Sequence, residues 1–128
     1  MPRSRPRPTD AELQILRVLW ERGPSTVRQV HEALVGTRET GYTTTLKLMQ
    51  IMAEKRLVDR DESTRTHVYK ASMSEAHTQG QLLNDLVDRA FGGSAAALVL
   101  RALSTRPTSD DELREIRKLI DDAREERR

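Results

Sequence analysis

Residues 43–50 read TTTLKLMQ, and the polar side chains they offer are three hydroxyls, an ammonium and a carboxamide. Threonine is β-branched with modest helix propensity, so a run of three at the head of a helical stretch serves the helix end or a partner. Short hydroxyls at a helix start can donate to phosphate oxygens, where free backbone N–H groups and the helix dipole also attract an anion. One and two turns further on, Lys47 and Gln50 have the reach and the hydrogen-bonding groups to meet base edges in a DNA major groove. The chemistry on offer is recognition of a polyanion, with no bond made or broken.

Such recognition requires one helix to turn these residues outward together. Its expected span is Tyr42 to Arg56. At about 100° per residue, Thr45, Leu48, Met49 and Met52 share the expected buried face. Thr43, Lys47, Gln50 and Glu54 lie opposite, with Thr44 and Ile51 on the flank. Thr45 is therefore expected to be structural, and Thr43 and Thr44 to be DNA contacts.

The elements that hold this helix can be read on either side of it. Thr9 to Glu12 is a capping box, followed by Leu13, Leu16, Leu19 and Trp20 at helical spacing, and Gly23-Pro24 stops the first helix. Ser25 is expected to cap a second helix with a stripe of Val27, Val30 and Leu34, ended by Gly36 and followed by the polar loop GTRETG. After the third helix, LVDRD and HVYKAS are β-type runs separated by ESTR, a hairpin with a polar tip. Three helices followed by a hairpin is the order of a winged helix-turn-helix. Arg65 then sits at the wing tip beside a neighbouring phosphate, with Arg60 and Arg28 as further backbone contacts.

Beyond the hairpin, Ser72 to Glu75 reads as a capping box, and Leu82, Leu83, Leu86, Val87, Ala90 and Phe91 carry a helix forward. Gly92-Gly93 interrupts it, SAAALVLRAL resumes from Ser94, and RPT breaks the pattern again. Ser109 to Glu112 opens a last helix with Leu113, Ile116, Ile120 and Ala123 along one seam. A tail this short cannot cover its own apolar stripe. Leu83, Leu86, Phe91, Leu98, Leu113, Ile116 and Ile120 are the expected contacts with a second copy. The expected fold is mainly α with a small β-hairpin wing: a flexible basic arm (1–7), a winged helix DNA-binding domain (8–71) and a helical dimerisation domain (72–128).

Charge agrees with that division. Residues 1–70 hold 13 Lys and Arg against 9 Asp and Glu, whereas residues 71–128 hold 9 against 11, which puts the anion-facing surplus in the first half. The absence of cysteine excludes a disulfide framework, a thiolate metal site and a cysteine nucleophile. His31, His67 and His77 lack ligand spacing, so no metal and no cofactor is expected. Asp110-Asp111-Glu112 and Asp121-Asp122 belong to helix starts and polar faces, and FGGS lacks the Lys and spacing of a phosphate loop, so the chain is not expected to be an enzyme. No apolar run is long enough to span a membrane, the start MPRSRPRP has no apolar signal core, and acidic residues crowd the tail's polar face, so a cytoplasmic protein without membrane insertion is expected.

These residues together carry a family resemblance. GYTTTLKLMQIMAEKRLV followed by DRDESTRTHVYKAS resembles the third helix and wing of the penicillinase repressor family, the BlaI/MecI-type repressors. PTDAELQILRVLWERGPSTVRQVHEAL resembles its first two helices, and RAFGGSAAALVLRAL the Gly-Gly turn between its tail helices, so the match covers about residues 8 to 125. The resemblance implies a homodimer that represses transcription by binding a palindromic double-stranded operator, with a membrane-bound β-lactam sensor protease system upstream. In the family, induction cleaves the repressor between Asn and Phe; Arg101 and Ala102 stand there in this chain, a departure that bears against cleavage-based induction. The cysteine cluster of the related copper-responsive repressors is missing, and Ile51 stands where many relatives have Arg. The alternatives are a winged-helix protein-interaction module that does not bind DNA, and a DNA-binding regulator controlled by a small-molecule ligand.

Overall fold

The computed structural model of the chain describes residues 7–37 and 40–127. The basic arm expected at residues 1–7 lies, Arg7 excepted, outside the described residues, as do Arg38 and Glu39 of the polar loop. Helix α1 (Asp10–Arg22) starts at the expected box: the Thr9 hydroxyl accepts the Glu12 N–H at 3.2 Å, and Glu12 Oε1 accepts the Thr9 N–H at 2.8 Å. A two-residue strand, β1 (Ser25–Thr26), precedes α2 (Val27–Leu34). The cap of α2 is Thr26 and not Ser25: Thr26 exchanges hydrogen bonds with Gln29 at 2.9 and 3.1 Å, the spacing a reciprocal cap requires. Ser25 is instead buried in the sheet, its hydroxyl donating to Gly23 O at 2.8 Å.

Helix α3 (Tyr42–Glu54) ends two residues short of Arg56. Strands β2 (Val58–Asp61) and β3 (Val68–Ala71) form the expected hairpin, and β1 adds to its other side, giving the antiparallel order β1-β3-β2. Tyr69 is opposite both Ser25 and Arg60. Two-residue β1 is too short to show an alternating pattern, which is why periodicity misses it. The succession α1-β1-α2-α3-β2-β3 is a winged helix. Its core joins Ile15, Leu16 and Leu19 of α1, Val27, Val30 and Leu34 of α2, Met49 and Met52 of α3, and Val58 and Tyr69 of the sheet.

Glu12 does more than cap. It is buried, and its carboxylate also receives Lys55 Nζ at 3.0 and 3.2 Å from the end of α3. Burial by itself would raise the Glu12 pKa, but hydrogen bonds from the Thr9 N–H and from Lys55, with the Lys55 charge, outweigh it and hold the carboxyl below its ordinary value of 4.5. One side chain thus closes the start of α1 and ties down the far end of α3.

The C-terminus of α3 turns through Arg56, whose φ of 64° is left-handed. Its N–H bonds Ala53 O at 3.1 Å and the Leu57 N–H bonds Met52 O at 2.9 Å, the two-bond closure that a left-handed residue permits. That conformation normally favours glycine.

The chain's contacts divide it into two compact units, up to Leu82 and from Leu83 onward. Helix α4 (Glu75–Ala90) is capped by Ser74, whose Oγ accepts the His77 N–H at 3.1 Å, and not by Ser72, whose N–H closes the sheet on Leu57 O. Phe91 falls just past its end. Gly92 and Gly93 carry φ values of 57° and 82°, two successive left-handed residues that let the chain reverse into α5 (Ala95–Thr105). Helix α6 (Asp110–Glu126) opens with the expected Ser109–Glu112 box. Among the described residues no helix is long and apolar enough to cross a membrane.

Three outcomes follow. Because the Glu12 pKa is depressed in the fold, its stabilisation is complete above about pH 4.5 and is lost as pH falls through the lower folded value. Denaturant titrations are expected to give a steeper acid loss for wild type than for Glu12→Gln. At neutral pH Lys55→Met, which strands the buried carboxylate, is expected to cost on the order of 3 kcal/mol and more than Glu12→Gln, which strands only the partly exposed Lys55. Separately, Arg56→Gly is expected to stabilise the fold by about 1 kcal/mol by relieving the left-handed strain; an unchanged denaturation midpoint would contradict that account.

Candidate nucleic-acid interface

Helix α3 presents the row that its sequence implies. Thr43, Thr44, Lys47, Gln50 and Glu54 are exposed, while Thr45, Met49 and Met52 are at most 1% exposed. Leu48, expected on the buried face, is only half-buried, at the margin of the packed surface. Thr45 has a structural role: His31 Nδ1 lies 3.2 Å from its Oγ1, a link from α2 to the first turn of α3. The cap residue of α3 is Gly41, and among the described residues no side chain closes that end, so neither Thr43 nor Thr44 is used as an N-cap.

Beside the row, α2, α3 and the wing enclose a groove of about 510 Å³. Arg28 reaches it from α2, Tyr42, Leu46 and Gln50 from α3, and Arg60, Arg65, Thr66, His67 and Tyr69 from the hairpin. The structure therefore brings together four of the seven residues expected to meet DNA: Arg28, Gln50, Arg60 and Arg65. Thr43, Thr44 and Lys47 are not among its lining residues; they occupy the adjoining exposed face of the same helix. Tyr42 and Thr66 are lining residues that the sequence pattern does not single out. The signal for Tyr42 is its place as the first residue of α3, next to the threonines.

The basic residues of the groove are held in different ways. The Arg28 guanidinium lies 5.3 Å from the centre of the Tyr42 ring, and the His31 ring meets the same tyrosine edge-on at 5.8 Å. A cation over an aromatic face keeps its charge while losing orientational freedom, so Arg28 is aimed and still able to receive an anion. Arg60 is more committed: its Nη2 pairs with Glu62 Oε1 at 2.6 Å, and hydrogen bonding to Tyr69 first, then the Glu62 charge, pushes its pKa further up. It braces the strand and meets an anion only by sharing or exchanging Glu62. Arg65 is exposed at the wing tip. The turn before it is shaped by Asp61, which accepts the Ser63 N–H at 2.9 Å and is held below its ordinary pKa by hydrogen bonds from Ser63.

In the C-terminal unit the expected contact residues are open or half-open. Leu83, Leu86, Leu113 and Ile120 are between 42% and 48% exposed, and Phe91, Leu98 and Ile116 are half-buried. Leu100, Leu103, Leu119 and Val99 add exposed apolar surface that the seam positions alone do not predict. Among the described residues no group of three or more acidic or histidine side chains could hold a metal ion.

Comparison with known proteins places this geometry among relatives. The family model described as penicillinase repressor matches residues 8–122. The chain is 38% identical over 93 residues to the transcriptional regulator BlaI of Mycobacterium tuberculosis, covering 70% of this chain and 67% of that protein. It is 20% identical over 117 residues to the penicillinase repressor of Bacillus licheniformis, covering 91% of each. Among solved structures, the DNA-binding domain of the repressor BlaI superposes with a TM-score of 0.51 at 21% identity, covering 59% of this chain and 92% of that one, a likeness in fold.

Proposed function

The chain belongs to the penicillinase repressor family, whose members are transcriptional repressors and not enzymes, and from that premise we propose that it binds a palindromic DNA operator as a homodimer. The observation that carries the DNA reading is the exposed row Thr43, Lys47 and Gln50 on α3, flanked by a groove in which Arg28 and Arg65 converge from the second helix and the wing. In this reading residues 8–71 bind DNA and residues 72–128 dimerise, in the cytoplasm. Lys47 and Gln50 meet base edges, Thr43 and Thr44 meet the start of the site beside the open N-terminus of α3, and Arg28, Arg65 and Arg60 meet phosphates.

The dimer reading is supported by the tail's own surface. Leu83, Leu86, Leu100, Leu113, Leu119 and Ile120 are each at least 42% exposed, a large apolar area for a single chain to leave in water. Two-fold pairing would cover it and would set two recognition helices against two half-sites.

A membrane-bound sensor protease is the upstream partner that family membership suggests. Arg101 and Ala102 lie inside α5, three residues or more from either of its ends, so a protease would have to unwind that helix to reach the bond between them. Loss of operator binding by intact, uncleaved protein on adding a ligand would instead point to small-molecule control.

Mobility-shift titrations on an operator from the gene's own promoter test the DNA reading. Lys47→Ala and Gln50→Ala are each expected to cost about 1–3 kcal/mol on the preferred site and to relax discrimination. Arg65→Ala and Arg28→Ala are expected to weaken all duplexes alike and to lower the slope of log affinity against log salt by about one. Unaltered binding by both α3 variants would refute the assignment, and capture of a protein partner without any duplex binding at low salt would favour an interaction module. For the dimer, sedimentation is expected to return twice the 14.6 kDa chain mass, reverting toward the single-chain mass in Leu86→Lys; a wild-type monomer at micromolar concentration would overturn it.

A further inference from the structure

Ile51 has no role in either of the surfaces described so far. The half-buried apolar side chains of α3 that pack against the core cluster are Leu46, Leu48 and Ala53, and Ile51, also half-buried, is not among them. It does not line the groove toward the wing either, to which α3 contributes Tyr42, Leu46 and Gln50. At about 100° per residue, Ile51 stands in line with Thr44 and Lys47, seven and four residues before it along the helix. The presented arc of α3 therefore has two edges. One faces the wing, where Gln50 shares the groove with Arg28; the other, on the far side of Lys47, is built from Thr44 and Ile51 and carries methyl groups and no charge.

We propose that Ile51, together with the methyl group of Thr44, reads the 5-methyl group of a thymine in the major groove, making this edge of α3 selective for a T·A pair. This deepens the DNA-binding reading and rests on it. Among the base edges of the major groove, thymine alone presents a methyl group, whereas guanine, adenine and cytosine present hydrogen-bonding atoms. Against a thymine, Ile51 removes apolar surface from water on both sides of the contact. Against the polar edge of guanine or cytosine it would strip water without supplying a hydrogen bond, so the same side chain attracts one base and penalises others. An uncharged edge beside Lys47 also lets the ammonium be steered to its own base or phosphate without a competing charge on its flank.

The test uses the full chain and a duplex enriched from a pool with a randomised core. Each thymine of that duplex is replaced singly by deoxyuridine, which removes the methyl group and leaves base pairing intact, and affinities are read by fluorescence anisotropy. Wild type is expected to lose about fourfold in affinity at one thymine position of each half-site, the value of one buried methyl-sized group. Ile51→Ala is expected to lose most of the discrimination between the thymine and uracil duplexes at that position, with an unchanged salt slope. The milder Ile51→Val, which keeps the branched shape, is expected to retain part of the discrimination. Tolerance of uracil at every position by wild type, or persistence of full discrimination in Ile51→Ala, would overturn the proposal. Failure to enrich any duplex at low salt would be a different result: it would remove the DNA-binding reading itself, and this proposal with it.

Discussion

The burial of Met49 and Met52 is the constraint on which the rest of the N-terminal unit depends. Both are fully enclosed, so α3 cannot rotate about its axis without exposing them, and a rotation of one residue position would carry Lys47 and Gln50 toward the core. Core packing and the aim of the outward row are thus a single degree of freedom. Thr45 and the Glu12–Lys55 pair fix what remains. The first joins the start of α3 to His31 on α2, and the second joins its end to the cap of α1. A helix held at both ends and along one face presents its other face with little conformational freedom left to lose on binding.

Tyr69 plays the corresponding part for the wing. It is buried in the core cluster and stands in the central strand, opposite Ser25 on one side and Arg60 on the other. The hairpin is therefore registered against the same core that registers α3, and its basic residues reach the groove from a rigid base. Arg60 shows how that rigidity limits function: paired with Glu62 and set opposite Tyr69 in the sheet, it is as much a brace as an available cation. Arg28, held over the Tyr42 ring and paired with no carboxylate among the described residues, is the better-prepared anion site.

The two units differ in how they spend their apolar residues. The winged helix encloses ten of them in one cluster, whereas among the described residues of the tail Val87 is the single large apolar side chain that is buried, and the exposed leucines run along all three helices. Caps favour the starts of those helices. Ser74, Ser94 and Ser109 each satisfy a first-turn N–H, and Gly92-Gly93 satisfies the turn between α4 and α5.

Much of this was legible in the residues because it is periodic and local. Helical spacing alone separates Thr45 from Thr43 and Thr44, and capping chemistry locates the starts of α1 and α6. Local rules are ambiguous where two candidates are adjacent or nearly so, as with Ser25 against Thr26 and Ser72 against Ser74; in each pair the residue not used as the cap is the one claimed by the sheet. The sequence by itself determined which side chains face outward on α3, because a helix has one period. Only the tertiary structure decided which cations share a groove with Gln50, that Tyr42 holds Arg28, and that Glu12 reaches Lys55 across 43 residues, because those neighbours are brought together by a common core and by no spacing along the chain.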